Sequence, residues 1–525
     1  MGRSGIQSIT SGAAGADHGC EGRPLTLIDR LLEPNASGPA RIPSWIAGAF
    51  EQPGSDGTDD IDVLDPATGR RLAVLSAAGA EGVGRAVDAA AAAFPAWRAI
   101  PARDRAALVV QFADRIAEHA ESLARLDSLD TGNPLTAMRA DLKKGVAGLR
   151  DSAGLALQVT GDVFPLPGLH YTQREPWGVV GRMITFNHPA MFACARLGAA
   201  LVAGNTVVLK PSELAPLSPV AIAELTAGLL PDGVVNVVVG GPPTGEALVR
   251  HPGIERLSFT GSTATALRIQ AAAAASGRIK TLSLELGGKN PIIVFEDVDV
   301  DEAAQAMVRG MNFTRVQGQS CGSTSRALIH ASIADAVLAR VAELVERIRV
   351  GPPSDPATEM GSLIDRAARD RCLAVVERAV ADGARIVAGG RVPDADGLSA
   401  GAFLRPTVLA DVRPGSELAR EEVFGPVLAA MTFTTEAEAL ALANDGAYGL
   451  TAAVWTQDLD RAFRVVEGLH AGYVWVNDVE TRFPAVPFGG WGDSGVGVEH
   501  GLEEILSFTR IKAVNVRLRR GMPSA

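Results

Sequence analysis

At 525 residues the chain is too long for one hydrophobic core, so two or more domains are expected. Hydrophobic residues make up 47% and charged residues 21%; 49 Lys plus Arg against 60 Asp plus Glu leave a net charge of −11 with no clustered basic stretch, which sets nucleic acid aside as a partner. The longest weakly polar runs, such as 197–209, are broken by Gly and Asn and fall short of the roughly 20 apolar residues that cross a bilayer, so no membrane partner is expected.

Residues 1–41, rich in Gly, Ser and Ala and lacking the basic start and apolar core of a secretory signal, read as a flexible N-terminal extension, with folded chain expected from about Ile42. Cys20, Cys194, Cys321 and Cys372 lie far apart, without the spacings of a metal site or a disulfide framework; no metal is expected and a reducing cytoplasm fits. Asp65-Pro66-Ala67-Thr68-Gly69 reads as a tight turn between strands 61–64 and 72–75. From Arg103, the residues Leu108, Phe112, Ile116, Leu123 and Leu126 recur at helical spacing up to Thr131-Gly132, predicting one long amphipathic helix. Strands at 179–185, 206–209, 234–239, 257–260 and 282–284 alternate with helical stretches. That alternation implies a doubly wound, mostly parallel sheet, which binds ligands at the carboxyl ends of its strands. The pattern returns at 292–295, 327–330, 427–433 and 473–476, a second α/β domain, and no internal repeat of fixed period is visible.

Two residues carry chemistry on their own account. Cys321, in Gly318-Gln319-Ser320-Cys321-Gly322-Ser323, sits in a loop of small polar residues where a small molecule could reach the thiol, although a lone cysteine is more often buried and inert. Glu285 ends an apolar strand and is followed by two glycines that allow another backbone or a ligand to come close. A carboxyl in partly apolar surroundings has its pKa raised toward neutrality, which suits a general base; a salt-bridged strand end is the plain alternative. Gly240-Gly241-Pro242-Pro243-Thr244-Gly245, after strand 234–239, is similar to a dinucleotide-binding glycine loop but lacks G-x-G-x-x-G.

An ordered series of motifs then resembles the aldehyde dehydrogenase superfamily, from about residue 60 to about residue 515. It runs through Ala93-Phe94-Pro95-Ala96-Trp97-Arg98, Asp130-Thr131-Gly132-Asn133-Pro134-Leu135, Phe186-Asn187-His188-Pro189 and Leu209-Lys210-Pro211-Ser212-Glu213. It continues with Phe259-Thr260-Gly261-Ser262-Thr263, Glu285-Leu286-Gly287-Gly288-Lys289, Gly318-Gln319-Ser320-Cys321, Glu421-Glu422-Val423-Phe424-Gly425-Pro426 and Pro487-Phe488-Gly489-Gly490. The resemblance implies an α/β fold of two doubly wound domains plus a β-ribbon for oligomerisation. A dinucleotide-binding domain would span 42–156 and 177–286, a catalytic domain 287–500, and an oligomerisation ribbon and C-terminal strand 157–176 and 501–525.

It also implies NAD(P)-dependent oxidation of an aldehyde to the acid. Cys321 would be the nucleophile, passing through a thiohemiacetal and a thioester; Asn187 and the Cys321 backbone N–H would form the oxyanion hole, and Glu285 would activate the hydrolytic water. Thr185, Lys210, Ser212, Glu213, Gly245, Gly261, Ser262, Glu422 and Phe424 would hold the cofactor, NAD or NADP, with Glu213 favouring NAD. A homodimer or homotetramer is implied. Two alternatives stay open: a CoA-acylating semialdehyde dehydrogenase, against which Glu285 argues, and a catalytically silent binding or structural relative.

The sequence departs from the family pattern in several places. The interval from Glu285 to Cys321 is longer than usual, so the loop at Thr314-Arg315-Val316 should bulge. Ala195 stands where a pocket tryptophan is common, Arg196 where a lysine is common, Arg482 at a position often aromatic, and Gly492 in place of a lysine. Ala195 beside Phe192, His188 and Phe488 leaves room for a bulky, aromatic aldehyde, whereas Arg482 could instead meet a carboxylate on a semialdehyde.

Overall fold

A computed structural model describes residues 26–32, 39–51, 60–395 and 397–517. The β-branched runs read from the sequence assemble into two parallel sheets. The first has eight strands in the order Gly495–Val496, Thr281–Glu285, Arg256–Thr260, Val179–Met183, Thr206–Lys210, Val235–Val237, Trp45–Ile46 and Ala49–Phe50. From Thr281–Glu285 to Val235–Val237 every pair is parallel, so all those carboxyl ends reach the same edge. The second sheet has seven strands, ordered Arg385–Ala388, Thr407–Ala410, Val427–Phe433, Arg326–His330, Pro291–Val294, Thr451–Trp455 and Tyr473–Val476. All its neighbours are parallel except the antiparallel edge strand Arg385–Ala388.

The expected α/β class with two doubly wound sheets is therefore present, and the ribbon with it: Leu169–Pro176 pairs antiparallel with Val163–Phe164 and with Thr509–Val516. No helix among the described residues is long and apolar enough to cross a membrane. The turn at Asp65 is made as read, with strands Ile61–Leu64 and Arg71–Leu75 antiparallel around it.

Several expectations need correction. The single helix from Arg103 is two helices, Ala102–Glu118 and Ala120–Thr131, because His119 leaves the α region at φ −103°, ψ 12°. The break has a structural consequence. It lets the second helix aim two buried carboxylates at other helix N-termini, with Asp127 Oδ2 accepting from Ala190 N at 3.1 Å and Asp130 Oδ2 from Leu217 N at 3.0 Å. The first of these fixes the helix Pro189–Val202 that follows Asn187.

Folded structure also begins earlier than Ile42. Leu27–Leu32 is a helix with Leu27 fully buried and its N–H bonded to Glu224 Oε2 at 2.9 Å, because three leucines and an isoleucine give this short stretch an apolar face. The rest of the expected extension, 1–25 and 33–38, lies outside the described residues, as do Cys20 and the last residues of the C-terminal segment, 518–525.

The segment 314–316 does not bulge as an open loop. It winds into a helical turn, Phe313–Val316, closed at both ends by left-handed residues, Asn312 at φ 57° and Gln317 at φ 54°. Residues 501–507 are a helix, Gly501–Ser507, not ribbon; Glu504 faces inward and pairs with buried Arg182 at 3.3 Å. Strands Thr407–Ala410 and Thr451–Trp455 escaped the sequence reading, because a strand buried on both faces shows an apolar run without alternation.

Because Leu27 fills core volume, Leu27→Ala should cost about 2–5 kcal/mol and lower the midpoint of thermal or denaturant unfolding. An unchanged midpoint would return this segment to a free extension.

Candidate active site

The Cys321 loop lies between the helical turn Phe313–Val316 and strand Arg326–His330. Side-chain amides hold its backbone from several sides. Asn290 Nδ2 donates to the carbonyls of Cys321 at 2.7 Å and Ser323 at 2.8 Å, while Asn290 Oδ1 accepts from Thr451 N at 3.0 Å. Asn187 Nδ2 donates to the Gln319 carbonyl at 2.8 Å, which leaves a second N–H on that nitrogen uncommitted. Asn133 Nδ2 in turn donates to the Asn187 carbonyl at 3.0 Å. Gln317 Nε2 reaches the Ser362 carbonyl at 2.8 Å, and Gln319 Oε1 takes the Ile364 N–H at 3.1 Å. Asn133, Asn290, Gln317 and Gln319 escaped the sequence reading as loop-holding residues, since an amide in a loop looks like any other polar surface residue until its carbonyl partner is known.

Glu285 ends strand Thr281–Glu285, opposite Thr260 on one side and Gly495 on the other. It is 4% exposed, and neither carboxyl oxygen has a hydrogen-bond partner. Burial, and secondly the nearby charge of Glu499, push this carboxyl well above its ordinary range, while Arg196 and Arg482 pull the other way. The Cys321 thiol is half-buried. Burial raises its pKa most, the Arg482 cation opposes this, and the charge of Glu285 adds to it, so thiol and carboxyl share one electrostatic environment. Cys194 and Cys372 are buried thiols pushed further up by desolvation. Cys321 is the one accessible thiol among the described residues.

The two glycines after Glu285 are where close approach happens. A side chain on Gly287 would collide with the Glu422 carboxylate, and one on Gly288 would come within 2.9 Å of the Cys321 carbonyl. Glu422 Oε1 accepts from Gly288 N at 3.0 Å, and burial pushes its pKa up to about 7. Phe424, at a left-handed φ of 51°, meets Phe186 edge to face at 5.7 Å. The loop after the Val179–Met183 strand, with half-buried Thr185, is thereby tied to the Glu422 loop.

The other expected cofactor residues lie along the same carboxyl edge. Lys210 ends its strand buried, donating to the Pro211 carbonyl at 3.0 Å with Glu213 at 3.5 Å, and burial lowers its pKa. Gly245 faces the Lys210 stem, a Cβ there standing at 3.7 Å. Gly261 N donates to the Glu285 carbonyl at 3.1 Å, and Ser262 caps helix Thr263–Ala275 by accepting from Thr265 N at 3.3 Å. Ser212 is set apart: its hydroxyl closes a local turn by accepting from Leu214 N at 3.2 Å.

On its other side Cys321 opens on a cavity of about 220 Å³. Ala195, Phe192 and His188 line it, as the sequence suggested, Phe488 does not, and Arg315 and Glu480 add polar wall that was not foreseen. His188 Nδ1 bonds to fully buried Asp141 at 2.5 Å; Arg315 holds the other Asp141 oxygen at 2.5 Å and reaches Glu480 at 2.8 Å. Against the cost of its burial, the bond from His188 and the Arg315 cation hold Asp141 well below the usual carboxylate range, while burial lowers the pKa of His188 itself. Arg315, in the helical turn Phe313–Val316, thus brings a charge into the pocket wall.

A model of the aldehyde dehydrogenase family matches residues 53–514. The chain is 43% identical over 466 residues to aldehyde dehydrogenase tropH of Talaromyces stipitatus, covering 87% of this chain and 90% of that protein. It is also similar to the crystal structure of PnpE from Pseudomonas sp. WBC-3, at 40% identity and a TM-score of 0.88, covering 92% and 99% of the two chains. PnpE has also been solved in complex with nicotinamide adenine dinucleotide. Betaine aldehyde dehydrogenase (betB) from Staphylococcus aureus, in complex with NAD+, is 34% identical with a TM-score of 0.87, covering 91% and 96%.

If Glu285 faces the thiol, Glu285→Gln removes a charge that opposes ionisation. The pH profile of Cys321 alkylation by iodoacetamide should then move to lower pH by up to roughly one unit. Superimposable profiles for the two proteins would separate the carboxylate from the thiol.

Proposed function

Since the chain belongs to the aldehyde dehydrogenase family, we propose that it oxidises an aldehyde to the carboxylic acid with Cys321 as nucleophile, Asn187 as oxyanion donor and Glu285 as hydrolytic base. The reading is supported by an accessible thiol that feels the charge of Glu285, by the amide of Asn187, bonded to the carbonyl two residues before Cys321 with one N–H uncommitted, and by a Glu285 carboxyl without hydrogen-bond partners.

The Cys321 thiolate adds to the aldehyde carbon, and the oxyanion formed is held by Asn187 Nδ2–H and the Cys321 N–H. The rigid amide clamp matters because donors already in place cost no reorganisation when charge develops. A nicotinamide dinucleotide, when bound, supplies the hydride acceptor that turns this adduct into a thioester on sulfur. Glu285, whose burial raises its pKa and so makes its carboxylate a stronger base, takes a proton from water; the oxygen attacks the thioester, and the acid leaves as thiolate is regenerated.

The donor set at the carboxyl edge suits a dinucleotide. Lys210 and Glu213 offer an ammonium and a carboxylate to ribose hydroxyls, and the Ser262 cap opens a helix whose first N–H groups favour pyrophosphate. Glu422, held only by Gly288 N–H, has oxygen left for a second ribose. Thr185, Gly245, Gly261 and Phe424 shape the cleft between them, and Ser212 contributes only its turn. Glu213 would repel a 2′-phosphate, so NAD is the preferred cofactor over NADP. Glu213→Gln should narrow the preference for NAD, measured as the ratio of kcat/KM values, by about tenfold.

The working protein is a homo-oligomer of two or four chains. The ribbon leaves Val163 at 72% and Ile511 at 61% exposure, apolar area that a second copy would cover.

The decisive experiment follows reduced nicotinamide in Glu285→Gln with a panel of aldehydes. A burst stoichiometric with active sites, followed by turnover slowed about 10²–10⁴-fold, is expected, with no burst in Cys321→Ala. Wild-type turnover that requires CoA would make the enzyme an acylating one. Silence with every aldehyde and either cofactor would leave a binding protein.

A further inference from the structure

The cavity beside Cys321 carries four Lys or Arg side chains in its wall: Lys144, Arg196, Arg315 and Arg482. Two are already neutralised. Arg196 pairs with Glu499, and Arg315 pairs with Asp141 and Glu480. Arg482 and Lys144 have no carboxylate at ion-pair distance among the described residues.

Lys144 is exposed, whereas Arg482 is half-buried and placed unlike a solvated surface cation. The Arg482 guanidinium stacks on the Phe488 ring at 4.1 Å from its centroid, and a side chain on Gly322, next to the nucleophile, would run into it. Stacking restrains the guanidinium while leaving its edge donors free, the arrangement that suits a bidentate carboxylate. Lys144 stands near enough to feel the charges of Arg315 and Arg482. The acids of the wall do not balance them: Glu480 is taken by Arg315 and Glu504 by Arg182. Asp151, on the Lys144 helix Leu135–Leu155, lies about 10 Å along the axis from Lys144. Among the lining residues, Arg482 and Lys144 are thus the cations without an ion-pair partner of their own.

We propose that this pocket selects aldehydes bearing a carboxylate, whose oxygens take hydrogen bonds from Arg482 while Lys144 adds positive charge at the rim. The assignment rests on Cys321 being the nucleophile. A neutral aldehyde leaves the enclosed guanidinium without a partner, and a carboxylate supplies one, so the charge discriminates between the two.

The test compares kcat/KM for 4-carboxybenzaldehyde with methyl 4-formylbenzoate, and for succinic semialdehyde with butanal, in the wild type, Arg482→Gln and Arg482→Lys. The wild type should prefer the acid of each pair. In Arg482→Gln the acid-to-neutral ratio should fall by about 10–100-fold, mainly through KM, and Arg482→Lys should recover part of it. A ratio unchanged by Arg482→Gln, with acid and neutral substrates falling together, would make Arg482 a counter-ion of the thiol and overturn the proposal. Neutral aldehydes turned over without any acid preference overturn it too, while leaving the Cys321 reading intact. Failure to turn over any aldehyde of either kind would overturn both.

Discussion

A nucleophile on a loop is useful only if the loop holds still, and here stillness comes from side-chain amides spent on backbone carbonyls. Asn290 holds two carbonyls of the Cys321 loop, and Asn187 holds a third. These amides come from different sheets: Asn290 directly precedes strand Pro291–Val294 of the second, and Asn187 follows strand Val179–Met183 of the first. Each hydrogen bond contributes only about 1 kcal/mol net, but each buried group left without its partner costs about 1–3 kcal/mol. The loop therefore cannot shift without orphaning groups on both sheets. The bond from Asn187 ties it to the backbone two residues before Cys321.

Around that fixed point, charge is arranged with unusual economy of partners. Glu285 is buried with neither oxygen satisfied, at a cost that a purely structural strand end would avoid by taking a cation or a backbone N–H. Glu422, half-buried, has a single backbone donor among the described residues. By contrast, the nearby Asp141, His188, Arg315 and Glu480 satisfy one another closely, so that group stiffens the pocket wall instead of reacting. Partnered and unpartnered titratable groups thus lie side by side.

Much of this was legible in advance because it is local in the chain. The parallel strands announced themselves as short β-branched runs between helical stretches, and the turn at Asp65 by its Pro and Gly. Cys321, Glu285 and Asn187 stand out because each sits in a distinctive short motif, and the motifs keep a recognisable order. What was missed is either pattern-free or distributed. Thr451–Trp455 is buried on both faces and shows no alternation. The break at His119 has no glycine or proline to mark it. Leu27–Leu32 is a short apolar patch in a stretch whose composition otherwise looks unstructured.

By itself, then, the sequence determined the α/β class and the family and nominated candidate residues for chemistry, because these depend on residue type and on spacing within a few turns or strands. Tertiary structure alone decided which amides clamp the loop, that the segment 313–316 winds into a turn carrying Arg315 to Asp141, and that Arg482 stacks on Phe488 without an acid partner among the described residues. Those outcomes join residues far apart in the chain. Whether a buried polar group is satisfied or orphaned is a property of the space around it, and no spacing along one strand encodes that.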